Sequence, residues 1–237
     1  MLEPIVVIPA RGGSKRIPGK NTRKLAGVPV LARTISVARH SGVGDSIYVS
    51  TDSTEIADLA HSLGAFVIER PAELADDHTP LLPVMNHAIA HLSQAGLIAP
   101  ETPIACLYAT AVTLDPTDFF QALQQLLNSK LGLPASMVTG VVEYPHPIER
   151  ALRLGTNSEL EAVSPRFAST RTQDLLAHYF DAGAFIWGFE SGWADPTPVL
   201  TRATGYILPP WRSVDLDTES DWSRAELVIS ELDRVKR

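Results

Sequence analysis

The chain has 237 residues, a single cysteine and an ordinary globular composition, 45% apolar and 20% charged, which excludes a collagen, a coiled coil, a disordered chain and a disulfide-stapled secreted domain. Its net charge is −7, yet residues 1–40 carry eight basic side chains against one acid and stand at +7, leaving −14 for the rest. One compact cationic segment on an acidic protein suits a small polyanion, or else a solvated basic face, and disfavours nucleic acid, whose backbone needs an extended basic surface.

In chain order, Ile5-Val-Val-Ile8 is a short β-branched apolar run that predicts a buried parallel strand. A polar, Gly-rich loop follows over 9–22. Pro29 sits where a first helical turn accepts it, and Leu31, Ile35 and Ala38 share a face up to Gly42. Ile47 to Ser50 is the next strand. Asp52 and Glu55 have capping-box spacing ahead of Ile56, Leu59, Ala60 and Leu63, and Gly64 closes that helix. Ala65 to Ile68 reads as a strand, Pro80 to Leu92 as a helix, Ile104 to Tyr108 as a strand. Pro116 opens a helix with Phe119, Leu123 and Leu126. Met137 to Val142, Ala184 to Trp187 and Tyr206 to Leu208 are further strands. Thr218 and Asp221 have capping-box spacing before a last helix with Trp222, Ala225, Ile229 and Leu232 on one face.

Alternating strands and helices predict a Rossmann-like, three-layer α/β/α fold with a mostly parallel sheet. The rhythm breaks over 143–180, so the expected organisation is one domain, 1–237, with an insertion there. No apolar stretch approaches the roughly 18 residues of a membrane span, and Ile5 to Ala10 is too short for a signal peptide. The expected setting is cytoplasmic, without membrane contact.

Open parallel sheets bind ligands beyond the carboxyl ends of their strands. Those ends are the 9–21 loop, the turn after Ser50, Arg70, the stretch from Tyr108 to Thr113, and the 209–217 loop. In the first, Gly12 and Gly13 let backbone N–H groups turn onto phosphate oxygens, Ser14 adds a hydroxyl, and Arg11, Lys15, Arg16 and Lys20 can neutralise a triphosphate. The pattern is neither a Walker A loop nor a G-x-G-x-x-G dinucleotide loop. In Asp215-Leu216-Asp217, extended backbone would turn both carboxylates to one side, where hard oxygen donors suit Mg²⁺ completed by substrate phosphates. The alternative is that Asp217 or Thr218 only caps the last helix. His87 and His91 lack the glutamate of a zinc-peptidase motif, and Cys106 reads as a buried small hydrophobe.

The run Ile8-Pro-Ala-Arg-Gly-Gly-Ser-Lys-Arg-Ile-Pro-Gly-Lys-Asn21 resembles the CMP-acylneuraminate synthetase family of cytidylyltransferases. So do Val49-Ser-Thr-Asp52, Arg70-Pro-Ala-Glu-Leu-Ala-Asp-Asp77 and Val214-Asp-Leu-Asp-Thr218. Leu107-Tyr-Ala-Thr110, Arg171-Thr-Gln-Asp-Leu175, Asp181-Ala-Gly183 and Asp221-Trp-Ser-Arg-Ala-Glu226 look most like its pseudaminic acid branch. The resemblance implies the nucleotide-diphospho-sugar transferase type of fold. It also implies an enzyme that joins CTP to a nonulosonic acid, pseudaminic acid ahead of a sialic or legionaminic acid, releasing pyrophosphate.

By the same resemblance Ala10, Arg11 and Asn21 contact the nucleotide, with Gly13 and Ser14 in the loop and Arg70 also on the nucleotide. Lys15 and Lys20 hold phosphates, and with Arg11 they form the catalytic set. Asp215 and Asp217 match the metal pair. Tyr108, Arg171, Gln173 and Asp181 face the sugar. Segment 143–180 resembles the part that packs on a partner subunit, so a homodimer is expected. The competing class is a non-catalytic nucleotide-binding module, which loss of Lys20 or of the acidic pair would mark; both are present. An oxidoreductase is disfavoured by the missing glycine fingerprint.

Overall fold

The computed structural model describes residues 3–129 and 137–235. Strand β1 (Ile5–Pro9) leads through a two-stranded ribbon, β2 (Lys24–Leu25) and β3 (Val28–Pro29), into helix α1 (Val30–His40). Then come β4 (Ile47–Thr51), α2 (Thr54–Ser62), β5 (Phe66–Glu69), α3 (Leu81–Gln94), β6 (Ile104–Leu107) and α4 (Pro116–Ser129). Strand β7 (Met137–Glu143) is followed by a small hairpin, β8 (Leu152–Leu154) and β9 (Leu160–Ala162), and by the long β10 (Tyr179–Gly188). Helix α5 (Glu190–Ala194), β11 (Thr204–Ile207) and α6 (Glu219–Val235) complete the chain.

Seven strands form one sheet in the order β11-β7-β10-β6-β1-β4-β5. All run parallel except β10, which is antiparallel to both β6 and β7. The strand expected from Ala184 to Trp187 thus rejoins the sheet reversed, wedged between two parallel strands. Alternation in β1 sends Val6 and Ile8 to one face and Ile5 and Val7 to the other, and all four are buried. Helices α1, α2 and α4 cover the first face, α3 and α5 the second. A third cluster joins Ile17, Leu25 and Val30 to Val214, Leu216, Trp222 and Ile229, so α6 packs against the base of the 9–21 loop.

Two helix starts test the capping readings. At α6 the box forms: Thr218 Oγ1 accepts the Asp221 N–H at 3.2 Å and Asp221 Oδ2 accepts the Thr218 N–H at 2.9 Å. At α2 the expected box over Asp52 and Glu55 is corrected by one residue. Ser53 is the cap, accepting the Ile56 N–H, because Asp52 is spent on the 9–21 loop. After β1 the chain goes outward to β4 and β5, then returns to place β6 on β1's other side. That reversal sits between the carboxyl ends of β1 and β6, where such folds open a crevice.

Candidate active site

The 9–21 loop leaves β1 at that crevice and is shaped by partners distant in sequence. The Ala10 N–H donates to the Ser50 carbonyl at 2.9 Å. The Gly12 N–H donates to Asp52 Oδ1 at 2.9 Å. A side chain at Gly12 would bring its Cβ to 2.9 Å from that of Ser53, so only glycine lets the loop lie this close to the turn between β4 and α2. Ile17 is buried in the third cluster and pins the far limb. Asn21 closes the loop, its Nδ2 donating to the Arg11 carbonyl at 3.0 Å while its own carbonyl takes the Leu31 N–H. Arg11, Ser14, Lys15, Arg16, Lys20, Asn21 and Asp77 line a cavity of about 310 Å³.

The cations fall into two pairs, each gathered by one carboxylate. Arg11 Nη1 and Lys15 Nζ meet Asp77 at 2.6 and 2.5 Å. Arg16 Nη1 meets Asp217 Oδ2 at 2.6 Å, and Lys20 Nζ lies 3.6 Å from Asp217 Oδ1. Lys20 also donates to the Leu216 carbonyl at 2.8 Å. The lysine expected on phosphate is therefore also the cation beside the acidic pair. Asp77 is held below the usual carboxylate range by Lys15 and then Arg11. Asp215 is pushed the other way, first by burial and then by the charge of Asp217, with Lys20 opposing. Leu216 between them is buried.

Arg70 is buried, and its Nε and Nη2 are spent on the hydroxyl and carbonyl of Ser50 at 3.2 and 2.6 Å. Burial lowers its pKa, yet the guanidinium stays charged, and it is the two bonds to Ser50 that fix it as a rigid wall. It shares an adjoining cavity of about 250 Å³ with Pro9, Arg11, Asp77 and Thr79. Tyr108 lies at the end of β6 within electrostatic reach of Asp181 and Asp215, its phenol pushed up chiefly by burial. Asp181 precedes a bulge where β10 slips against β7, and its Oδ1 accepts the Gly183 N–H at 2.9 Å, with Gly183 at φ +58°.

Arg171 and Gln173 are not gathered with these groups. Arg171 pairs locally with Asp174 at 2.8 Å and is exposed. Gln173 lines a separate hollow of about 260 Å³ with Glu143, His146, Thr172 and His178. Among the described residues no hydrogen bond or ion pair joins either one to the 9–21 loop or to the acidic pair. Two residues of the rim carry no site role in their local sequence: Asp77, which holds Arg11 and Lys15, and Asp52, whose spacing reads as a helix cap but whose carboxylate holds the Gly12 N–H. Among the described residues no cluster of three or more His, Cys, Asp or Glu could hold a metal by itself. Two carboxylates fit Mg²⁺ only if substrate phosphates complete its shell, which is that ion's usual mode.

Residues 5–171 match the Cytidylyltransferase family. Pseudaminic acid cytidylyltransferase of Campylobacter jejuni subsp. jejuni is 32% identical over 228 residues, covering 94% of this chain and 95% of that protein. N-acylneuraminate cytidylyltransferase B of Danio rerio is also 32% identical, over 93% of this chain but 50% of its own length. The solved structure of CMP:2-keto-3-deoxy-manno-octonic acid synthetase with CTP has the same fold, at a TM-score of 0.68 and 15% identity over 97% of this chain and 99% of that one. No helix among the described residues is long and apolar enough to cross a membrane.

Proposed function

This chain belongs to the cytidylyltransferase family, and from that premise we propose that it transfers CMP from CTP to the anomeric hydroxyl of a nonulosonic acid, pseudaminic acid, releasing pyrophosphate. One observation carries the reading. A cationic loop and a carboxylate pair from opposite ends of the chain meet on one rim, with Lys20 Nζ 2.8 Å from the Leu216 carbonyl and Arg16 2.6 Å from Asp217. Phosphoryl transfer is catalysed mainly by positioning and charge neutralisation, and that rim supplies both.

In the proposed reaction the anomeric oxygen bonds to the α-phosphorus in line as the α,β-anhydride bond breaks. Pyrophosphate leaves and the hydroxyl proton is released. Arg11, Lys15 and Lys20 neutralise the phosphates and the charge growing on the leaving group. The backbone at Ala10 and Gly13, the Ser14 hydroxyl and Asn21 hold the nucleotide against the loop, and Arg70 walls the adjoining cavity. Asp215 and Asp217 would hold Mg²⁺, which when bound supplies Lewis acidity at the α-phosphate. Tyr108 and Asp181 line the sugar side.

Arg171 and Gln173 serve the sugar from the arm over residues 144–178, which a second copy covers in a homodimer. What supports the dimer is the arm's surface: Leu152, Leu154, Leu160 and Leu176 are all exposed. An N-acylneuraminate, sialic or legionaminic, is the second reading, because the Danio rerio relative is as similar at 32%. Pyrophosphate release with CTP and a panel of nonulosonic acids tests the proposal. Turnover with pseudaminic acid well above N-acetylneuraminic acid supports it; the reverse order selects the second reading, and no release with any acid sinks both.

A further inference from the structure

The acidic pair lies in a stretch held by no ladder, since β11 ends at Ile207 and α6 begins at Glu219. Its pose depends on side-chain anchors. Val214 and Leu216 anchor it from within, buried in the third cluster. On the upstream side Arg212 takes that part. Its Nη1 lies 2.6 Å from Asp118 Oδ2 and its Nη2 lies 3.1 Å from Asp115 Oδ2, both at the start of α4. Tyr206 on β11 donates its hydroxyl to the other oxygen of Asp118 at 3.1 Å. The Arg212 carbonyl accepts from Thr113 Oγ1 at 2.6 Å, and the guanidinium stands 4.7 Å from the centre of the Trp211 ring. One residue later, Ser213 Oγ donates to the Ala182 carbonyl at 3.3 Å, in the bulge beside Asp181.

The clamp therefore ties the acidic loop to the segment after Tyr108 and to the bulge after Asp181. A guanidinium gripping two carboxylates fixes orientation as well as position, which an ammonium cannot do. Asp215 stands three positions after Arg212, a reach of at most about 11 Å, so the clamp is close enough to bear on the carboxylate's pose.

We propose that Arg212 is a positioning residue for the transfer reaction, setting the pose of Asp215 and Asp217 without touching substrate itself. The proposal rests on the reading of those aspartates as the metal pair. Its rival is a plain scaffold role, in which loss of Arg212 costs only stability.

The test combines Mn²⁺ binding, followed by the electron-paramagnetic signal of free Mn²⁺ with an α,β-methylene analogue of CTP present, with steady-state kinetics and thermal melting. Arg212→Met should weaken Mn²⁺ binding about tenfold and lower kcat about 100-fold, with KM for CTP within about twofold, as expected when reacting groups are misplaced by about 1 Å. Arg212→Lys should recover part of both losses, and Tyr206→Phe should show a smaller loss in the same direction. Wild-type Mn²⁺ affinity and kcat in a folded Arg212→Met protein of lowered melting temperature would overturn the proposal. If that variant does not fold, wild-type values in both Arg212→Lys and Tyr206→Phe overturn it equally. Asp215→Asn is the control. If it too binds Mn²⁺ like the wild type, the metal reading falls and this proposal with it; if it loses Mn²⁺ while folded Arg212→Met keeps wild-type Mn²⁺ affinity and kcat, this proposal alone falls.

Discussion

The rim around the 9–21 loop and the arm over 144–178 hold themselves together differently. At the rim, Arg11 and Lys15 reach Asp77, and Arg16 and Lys20 reach Asp217 and Leu216 near the far end of the chain. Beneath them lies a buried floor of Ile17, Leu25, Val214 and Leu216. In the arm no residue from 143 to 181 is buried. Among the described residues its ion pairs and polar contacts stay within it: Arg171 with Asp174, His178 with Glu149, Arg150 with Thr172. The rim is assembled by the single chain, with its charges oriented before substrate arrives. The arm has no core of its own and leaves its leucines outside, which is why we assign its function to an assembly.

The largest expected effect breaks the rim's chemistry without breaking its fold. Asp215→Asn and Asp217→Asn should each lower kcat by about 1,000-fold, the scale on which charge stabilisation of a transferring phosphoryl group acts. Melting temperature should stay nearly constant, since replacing Asp215 relieves a carboxylate already disfavoured by burial and by its neighbour, and the pairs Asp217 makes with Arg16 and Lys20 are partly exposed and worth little. Normal turnover of both variants in Mg²⁺ would remove the metal pair. Lys20→Ala comes next, with an expected loss of about 100-fold. If Lys20 acts in the transition state the loss appears in kcat; a change in KM alone would make it a ground-state contact.

Two changes in the arm sharpen the contrast. Arg171→Lys should raise KM for the sugar acid about tenfold and leave KM for CTP unchanged, because lysine lacks the bidentate fork. Equal changes in the two constants would detach Arg171 from the sugar. Leu154→Asp together with Leu160→Asp, a facing pair in the β8–β9 hairpin, should convert a dimer to monomers in sedimentation analysis while the sheet melts as before. A wild-type species that already sediments as a monomer would defeat the dimer reading.

The smallest effect concerns the helix beneath the rim. Thr218→Ala removes one half of the α6 capping box and should cost about 1 kcal/mol in denaturant melts. Asp221, held below its ordinary value of 3.8 chiefly by the Thr218 hydroxyl, contributes stability that is complete above that value. The contribution is lost as pH falls through the lowered pKa. Thr218→Ala should therefore flatten the acid limb of the stability profile, and an unchanged limb would show that the box does not set it.

Periodicity and turn chemistry determined most of the fold from sequence alone. The β-branched run at Ile5–Ile8, Pro29 and Gly42 around α1, and Thr218 with Asp221 before α6 act over a few residues, so they can be read without knowing the rest. The cationic loop and the Asp215–Asp217 pair were visible for the same reason, as was the rule that carboxyl strand ends gather a site. Tertiary structure decided what is non-local. It reversed β10, because a strand's direction depends on which neighbours it meets. It took Asp52 from its helix to hold the Gly12 N–H, and it set Asp77 between Arg11 and Lys15. It brought Lys20 to Leu216 across nearly the whole chain, and it fastened Arg212 to Asp115 and Asp118. Each of these pairings follows from which loops share one edge of the sheet, and no local pattern of residues encodes that.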